Sequence, residues 1–272
     1  MSYALAVGGR DDYPVKVGSM LLTMVDPNVG YEKAYNRWYE RDHYYTGCMV
    51  GPWMYAGSRW VAPRTLKDLR WPDDETVAKP YTAGSYVAIY WVEEGHHKDH
   101  FSDWAVPQVQ KIYAEGRGFP ERRHIHTTMY NRVGAVYRDP DGVPVDLALD
   151  ARYDGIVAVW MDSKDGGPAA DLHAALTPAM GALVAGSSIE TVSSWTPCPS
   201  DSGPANAPMD LGSGAGGPDR LCQLLFVRGD VREVLDRVRQ YTDGASALAD
   251  IRLVAPFFAT VVGTDKYVEE LW

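Results

Sequence analysis

Histidines carry most of the chemistry open to this chain, and six of the seven lie in its first half. His43 closes a run of aromatics in Tyr31–Gly47 (YEKAYNRWYERDHYYTG). Asp42 stands beside it in sequence, and Tyr39 lies four residues earlier, one helical turn away on the same face. Near the last turn of a helix, His43 is expected to be stabilised as the cation by the helix dipole. That would raise its pKa and suit a general acid or proton shuttle, with Asp42 or a tyrosine as orienting partner. The plainer role is a histidine that caps the helix end by bonding a carbonyl. His124 and His126 are two apart, so a strand would put them on one face with Thr128 and Tyr130. Facing inward, that row could hold a carbonyl or phenol oxygen and move protons; facing outward, it is a solvated pair. H-x-H spacing also suits two metal ligands, but no carboxylate or Cys continues the row, so no metal is assigned. His96 and His100 are i, i+4 neighbours, a spacing that can hold a metal or a haem iron. Their neighbours Lys98, Asp99, Ser102 and Asp103 favour an exposed first helical turn instead. His173 sits in an alanine-rich stretch with no such company.

The substrate-binding candidates around His43 are Trp38, Tyr86, Tyr90, His124 and His126. Tyr86 and Tyr90 share one face of a strand, and Met20, Leu22 and Met24 share a face of another. Aromatic and Met side chains more often build cores than cofactor pockets. A tyrosine-rich lining nevertheless suits a flat, partly polar ligand. Several chemistries are disfavoured by what is missing. No GxxxxGK[ST], GxSxG or HExxH occurs, and the GxGxxG match from Gly212 to Gly217 leads into a strand rather than a helix. Cys48, Cys198 and Cys222 form no CxxC pair and no even framework, so reduced thiols are expected, with Cys48 a small buried residue.

The elements that must position these groups follow from periodicity and punctuation. Lys16–Asp26 reads as a strand and Tyr31–Gly47 as a helix. Tyr55–Pro63 and Ala83–Val92 are strands on either side of a loop excursion, Arg64–Thr82. A helical stretch follows Gly95, kinked or divided at Pro107, and Arg122–Tyr137 is a strand with a bulge or bend at Gly134. The same order then returns. Strand Arg152–Met161, helix Ala169–Leu183 with Pro178 inside it, strand Ser187–Trp195, a Gly/Pro/Ser-rich tract Pro197–Asp219, strand Arg220–Arg228, helix Val231–Tyr241 and strand Ile251–Val262 complete the chain. Leu21 and Val157 are 136 residues apart, as are Ala88 and Leu224. Such a long period means two copies of one domain, 1–140 and 150–272, rather than a solenoid. Each β-α-β-β-α-β unit is a ferredoxin-like motif with one bare sheet face, and two such sheets can cover each other as a barrel with helices outside. The offset puts Ala179 opposite His43 and Ala174 opposite Trp38, so one working site is expected, in the first copy.

Across the chain, the net charge of −10 and pI near 5.1 disfavour nucleic acid and anionic membrane as partners. No stretch of about 18 apolar residues occurs, and no basic leader precedes one, so a cytoplasmic protein is expected.

The segment YNRWYERDHYYTG followed by a strand carrying GSRW resembles the dimeric α+β barrel superfamily, in particular its EthD-like and polyketide-cyclase-like branches. Their first helix carries a similar Trp/Tyr-x-x-x-x-His segment, followed by an aromatic-Gly-x-Arg strand. The resemblance implies an α+β fold, here a fused pseudo-dimeric barrel, monomeric or paired as a homodimer, with His43 bordering a cavity. The leading functional expectation is a cofactor-independent enzyme using proton transfer (cyclisation, isomerisation or lyase-type elimination) on a hydrophobic, oxygenated, aromatic or polyketide-like small molecule. The alternatives are a haem-dependent barrel enzyme with a first-half histidine as axial ligand, since some members of the superfamily bind haem, and a non-catalytic small-molecule binding protein.

Overall fold

The computed structural model describes residues 14–198, 210–212 and 214–272. Eight antiparallel strands close into one barrel in the order β1-β3-β2-β8-β5-β7-β6-β4. The strands are β1 (Val17–Pro27), β2 (Met54–Val61), β3 (Tyr86–Glu93), β4 (Arg122–Tyr137), β5 (Gly155–Ser163), β6 (Ile189–Pro197), β7 (Arg220–Val227) and β8 (Ala249–Ala259). Two ferredoxin-like sheets, β4-β1-β3-β2 and β8-β5-β7-β6, repeat one order and meet edge to edge, which makes the chain a fused pseudo-dimeric α+β barrel. Most of the Gly/Pro-rich tract 197–219 lies outside the described residues.

Strands β3 and β7 are buried along nearly their whole length because both faces are covered, one by helices and one by the barrel interior. The interior is filled rather than hollow. Trp60, Trp91, Trp160 and Trp195 are all at most 2% exposed, in line with an eight-stranded barrel being just wide enough for side chains to fill. Met20, Leu22 and Met24 join them from β1. The linker between the repeats stoppers one mouth: the buried Val145 carbonyl accepts from Trp91 Nε1 at 3.0 Å, and Asp146 accepts from the Val17 amide at 2.7 Å and from Arg132 at 3.1 Å.

The two seams between the sheets differ. β4 and β6 pair from Tyr130↔Pro197 to Tyr137↔Thr191, whereas β2 and β8 pair only at Trp60↔Ala259 and Val61↔Phe258.

The helices lie outside. α1 (Glu32–Trp38) runs on through two π-helical turns, Tyr39–His43 and Tyr45–Met49, and the Val50 amide closes the second by reaching the Tyr45 carbonyl at 3.1 Å. α2 (Arg64–Lys67) is a short helix within the expected loop excursion. The second long helix begins at His97: α3 (His97–His100) and a π turn (Phe101–Ala105) lead directly into α4 (Val106–Ala114), and Pro107 follows the π turn that separates the two α-helical pieces. α5 (Ala169–Val184) runs through Pro178, and α6 (Leu235–Ala245) follows a 3₁₀ turn. At Gly134 the β4–β6 register shifts as expected, and an added Cβ there would meet His173 Nε2 at 2.5 Å, so the glycine makes room for the helix above. No described helix is long and apolar enough to cross a membrane.

Candidate functional site

Helix one lays Tyr35 and Tyr39, both buried, on the outer face of the first sheet. There they meet Tyr86, Ala88 and Tyr90 of β3 in a single apolar layer. This corrects the expectation that Tyr86 and Tyr90 line the barrel: strand alternation turns Val87, Ile89 and Trp91 inward and the two tyrosines toward the helix. The 136-residue offset is one too long for this strand. Trp60 packs with Phe226 inside the barrel, and Gln223 bonds Met180 of α5 outside it, so the faces of β3 and β7 match at one residue less.

His43 stands in this layer, stacked on Trp38 with ring centroids 4.5 Å apart and edge-on to Tyr39 at 5.3 Å. Gly47 makes the position possible, since a Cβ there would come within 2.7 Å of the imidazole. Two expectations for His43 fail. The helix continues to Met49, so the imidazole is not in a last turn and gains nothing from the helix dipole. Its pKa is lowered to about 3, first by burial and then by the positive charge of Arg122, with His124 and Arg59 adding to it. His43 is therefore neutral at pH 7, and its Nδ1 is buried without a hydrogen-bond partner among the described residues. Asp42 does not orient it: its oxygens accept from Arg117 Nε at 3.1 Å and from Thr46 Oγ1 at 2.7 Å.

His124 and His126 part company. The β1–β4 register shifts between Met24↔His126 and Val25↔His124, leaving Ile125 as an extra residue and turning the two histidines to opposite faces. His126 points into the barrel, fully buried, with Nε2 2.6 Å from the Tyr130 hydroxyl, which also accepts from Trp160 Nε1 at 3.0 Å. His124 faces the helix layer. Arg122 Nε donates to its Nε2 at 3.2 Å and its Nδ1 lies 2.7 Å from Thr127 Oγ1, which fixes the Nδ1–H tautomer. Burial and Arg122 lower its pKa to about 3 as well. His96 is partly exposed as expected, but His100 is 1% exposed and bonds the Pro52 carbonyl at 2.6 Å.

Two residues of the layer were not among the site candidates read from the sequence. Arg59, the arginine of GSRW, is 5% exposed and lies between the Tyr39 and Tyr86 rings, 4.4 and 4.5 Å from their centroids. One nitrogen bonds Asn36 Oδ1 at 2.9 Å and Glu40 Oε1 at 3.3 Å, while Nε and Nη2 are buried without a hydrogen-bond partner among the described residues. Arg122 lies 4.7 Å over the Trp38 ring and donates to Tyr113 and to the Phe119 carbonyl. An arginine on a strand that must be covered by a helix was the available signal for Arg59. Arg122 had none beyond its neighbour His124. Tyr39 and Tyr90 share a hydroxyl–hydroxyl hydrogen bond of 2.6 Å, and the Tyr86 hydroxyl is buried with no hydrogen-bond partner among the described residues. Burial raises the pKa of all three phenols, so each is a neutral hydrogen-bonding group. Cys48 is buried and its thiol pushed up to about 12.

A cleft of about 680 Å³ lies at the open β2–β8 seam, with Glu40 and Arg59 belonging to its wall. No histidine lines it. Elsewhere His96 lies flat on Trp53 at 3.5 Å, His100 packs on Trp104, and His43 on Trp38. Each of these three imidazoles has one ring face covered by an indole. Among the described residues no group of three or more His, Cys, Asp or Glu is placed to hold a metal ion.

No family profile and no curated protein matches the chain. Solved structures do. An anthrone oxidase-like protein superposes with a TM-score of 0.52 at 8% identity, over 95% of this chain and 97% of its own. A candidate chlorite dismutase, TA0507, gives 0.51 at 10% identity over 94% and 100%. A haem-bound variant of DypB from Rhodococcus jostii RHA1 gives 0.47 at 10% identity over 97% and 99%, too loose a likeness to carry an argument. At such identities the likeness concerns the backbone alone, and with the closed antiparallel sheet it places the chain in the dimeric α+β barrel fold.

Proposed function

We propose that this protein is an enzyme of proton-transfer chemistry acting on a hydrophobic, oxygenated small molecule, aromatic or polyketide-like, in the layer between helix one and the first sheet. The observation that carries the reading is a neutral imidazole, His43, with an unpartnered Nδ1 and two guanidinium groups, Arg59 and Arg122, acting on it. In this reading His43 is a base rather than the acid its sequence position suggested. Burial first, and the two arginines after it, keep it unprotonated before substrate arrives. When it removes a proton from an acidic C–H or O–H, the enolate or phenolate formed is stabilised by the same cations and by the Tyr86 hydroxyl. The new anion in turn raises the pKa of the imidazolium, which makes the transfer favourable only with substrate in place. Trp38, Tyr35 and Tyr39 supply flat apolar walls that orient the substrate and exclude water. Cyclisation, isomerisation and elimination all begin with this step, and none of them asks for a cofactor.

The plain alanine-rich helix α5 fills the equivalent place in the second repeat, which supports a single site in the first. That one structural match is called anthrone oxidase-like agrees with an oxygenated aromatic substrate, as a likeness of fold only. The test is solvent exchange. With anthrone as probe in deuterated buffer, the wild-type chain should accelerate loss of the acidic C–H signal in NMR, and His43→Asn should lose about 100-fold or more of that acceleration. A folded His43→Asn with wild-type exchange would remove His43 from the mechanism. Absorbance after haemin addition tests the haem reading separately, a Soret band that follows one histidine being the result in its favour.

A further inference from the structure

We propose that the cleft at the β2–β8 seam binds a zwitterionic small molecule with an apolar body, an aromatic amino acid being the simplest example. Arg59 borders both this cleft and the His43 layer, but the binding proposed here does not depend on the chemistry proposed there. The cleft exists because β2 and β8 stop pairing beyond Trp60↔Ala259 and Val61↔Phe258, whereas the matching β4–β6 seam is zipped along its length. Its volume, about 680 Å³, is within the range of small-molecule sites.

The charges around it decide the ligand. Glu40 is already engaged, with Oε1 on Arg59 and Oε2 accepting the Gly263 amide at 2.8 Å, and Arg59 turns its guanidinium between the Tyr39 and Tyr86 rings. Two charged lining side chains have no such engagement at all. Asp150 and Arg152 are both exposed, and neither side chain has a hydrogen bond or ion pair with any described residue. A simple anion would satisfy Arg152 and face Asp150; a simple cation would do the reverse. A molecule carrying an ammonium and a carboxylate pairs with both.

The apolar part of the ligand is specified by the rim. Tyr45, Val261 and Val262 are 49%, 44% and 72% exposed, and all three line the cleft. Exposed hydrophobics gathered at one concave place mark binding surfaces more often than scattered ones do. Trp60, Leu149 and Tyr153 continue the apolar wall inward, and the Tyr44 hydroxyl occupies the Gly57 carbonyl at 2.7 Å, so that β2 edge group is not left for the ligand.

The experiment is isothermal titration of the full chain with L-phenylalanine, 3-phenylpropanoate and phenethylamine, which share one apolar body and differ in charge. L-phenylalanine should bind saturably, and each one-charge analogue about tenfold or more weaker. Arg152→Gln should weaken L-phenylalanine and 3-phenylpropanoate by about tenfold while sparing phenethylamine. Asp150→Asn should weaken L-phenylalanine and phenethylamine and spare 3-phenylpropanoate. Both side chains are exposed, so unchanged far-UV circular dichroism checks the fold. No saturable heat with L-phenylalanine up to millimolar concentration, equal binding of the three compounds, or variants that bind like wild type would each overturn the proposal.

Discussion

His43 and His124 share one electrostatic situation: each is a partly covered imidazole near Arg122, and each has its pKa lowered from 6.5 to about 3. The unfolded chain therefore binds more protons than the folded one between those values. Stability is complete above about pH 6.5 and falls as the pH drops toward 3, by up to about 1.4 kcal/mol per pH unit for each histidine. Urea midpoints measured from pH 7 to pH 4 should fall along this slope, and His43→Asn or His124→Asn should each flatten it. Variants that kept the wild-type slope would show that these imidazoles titrate normally. At this scale the sequence made His43 visible through its aromatic company, but its protonation was read with the wrong sign. A helix C-terminus was assumed from the Gly47 signal, and the strand that brings Arg122 lies about 80 residues away, beyond the reach of local pattern. The expectation that His124 and His126 share one face failed for a different reason, and it is His124 that turns away from the barrel. A single extra residue, Ile125, reverses the face of everything after it, and a bulge of this kind leaves no composition mark when the inserted residue is itself apolar.

Helix one and α5 offer a controlled comparison at the level of elements. A glycine-to-alanine change inside a helix ordinarily stabilises by about 0.5–1 kcal/mol, because glycine has more backbone freedom to lose. Gly181 of α5 has nothing within 4 Å of an added Cβ, and Gly181→Ala should follow that rule. Gly47→Ala should do the opposite and destabilise by about 1–3 kcal/mol, since the new methyl would lie 2.7 Å from the His43 ring and push it off Trp38. Thermal or denaturant unfolding of the two variants decides it, and a stabilised Gly47→Ala would mean that His43 has room to move. Element order and most strand ends were legible from alternation and from Gly and Pro punctuation, and β4 begins at Arg122 and ends at Tyr137 as read. The π turns were not legible. They depend on i→i−5 bonding that no residue pattern announces, and they occur in both long helices of the first repeat. π turns inside helices are frequent at functional sites, which is consistent with a working first copy.

Taken as one body, the molecule is a closed ring with one weak joint. Segments that share few inter-strand bonds open first, so amides in 54–61 should exchange with deuterated solvent faster than those in 130–137, although both lie in edge strands of their own sheets. Equal protection would mean that side-chain packing, rather than the ladder, holds the β2–β8 seam. The barrel itself was legible because two bare sheet faces in one chain have little choice but to cover each other. That its interior is full of tryptophan was not, since period-2 alternation cannot say which face of a doubly buried strand points to the axis. That filling has a use to an observer. Trp91 comes from the first repeat and Trp195 from the second, with ring centroids 4.7 Å apart at 31° to each other. Two indoles so close and so inclined couple their transitions and give a paired near-ultraviolet dichroism band that neither gives alone. Trp91→Phe and Trp195→Phe should abolish the same band. In the unmodified chain its intensity then serves as an internal optical gauge of whether the two halves are closed on each other, readable without any label while the far-ultraviolet signal reports the sheets themselves.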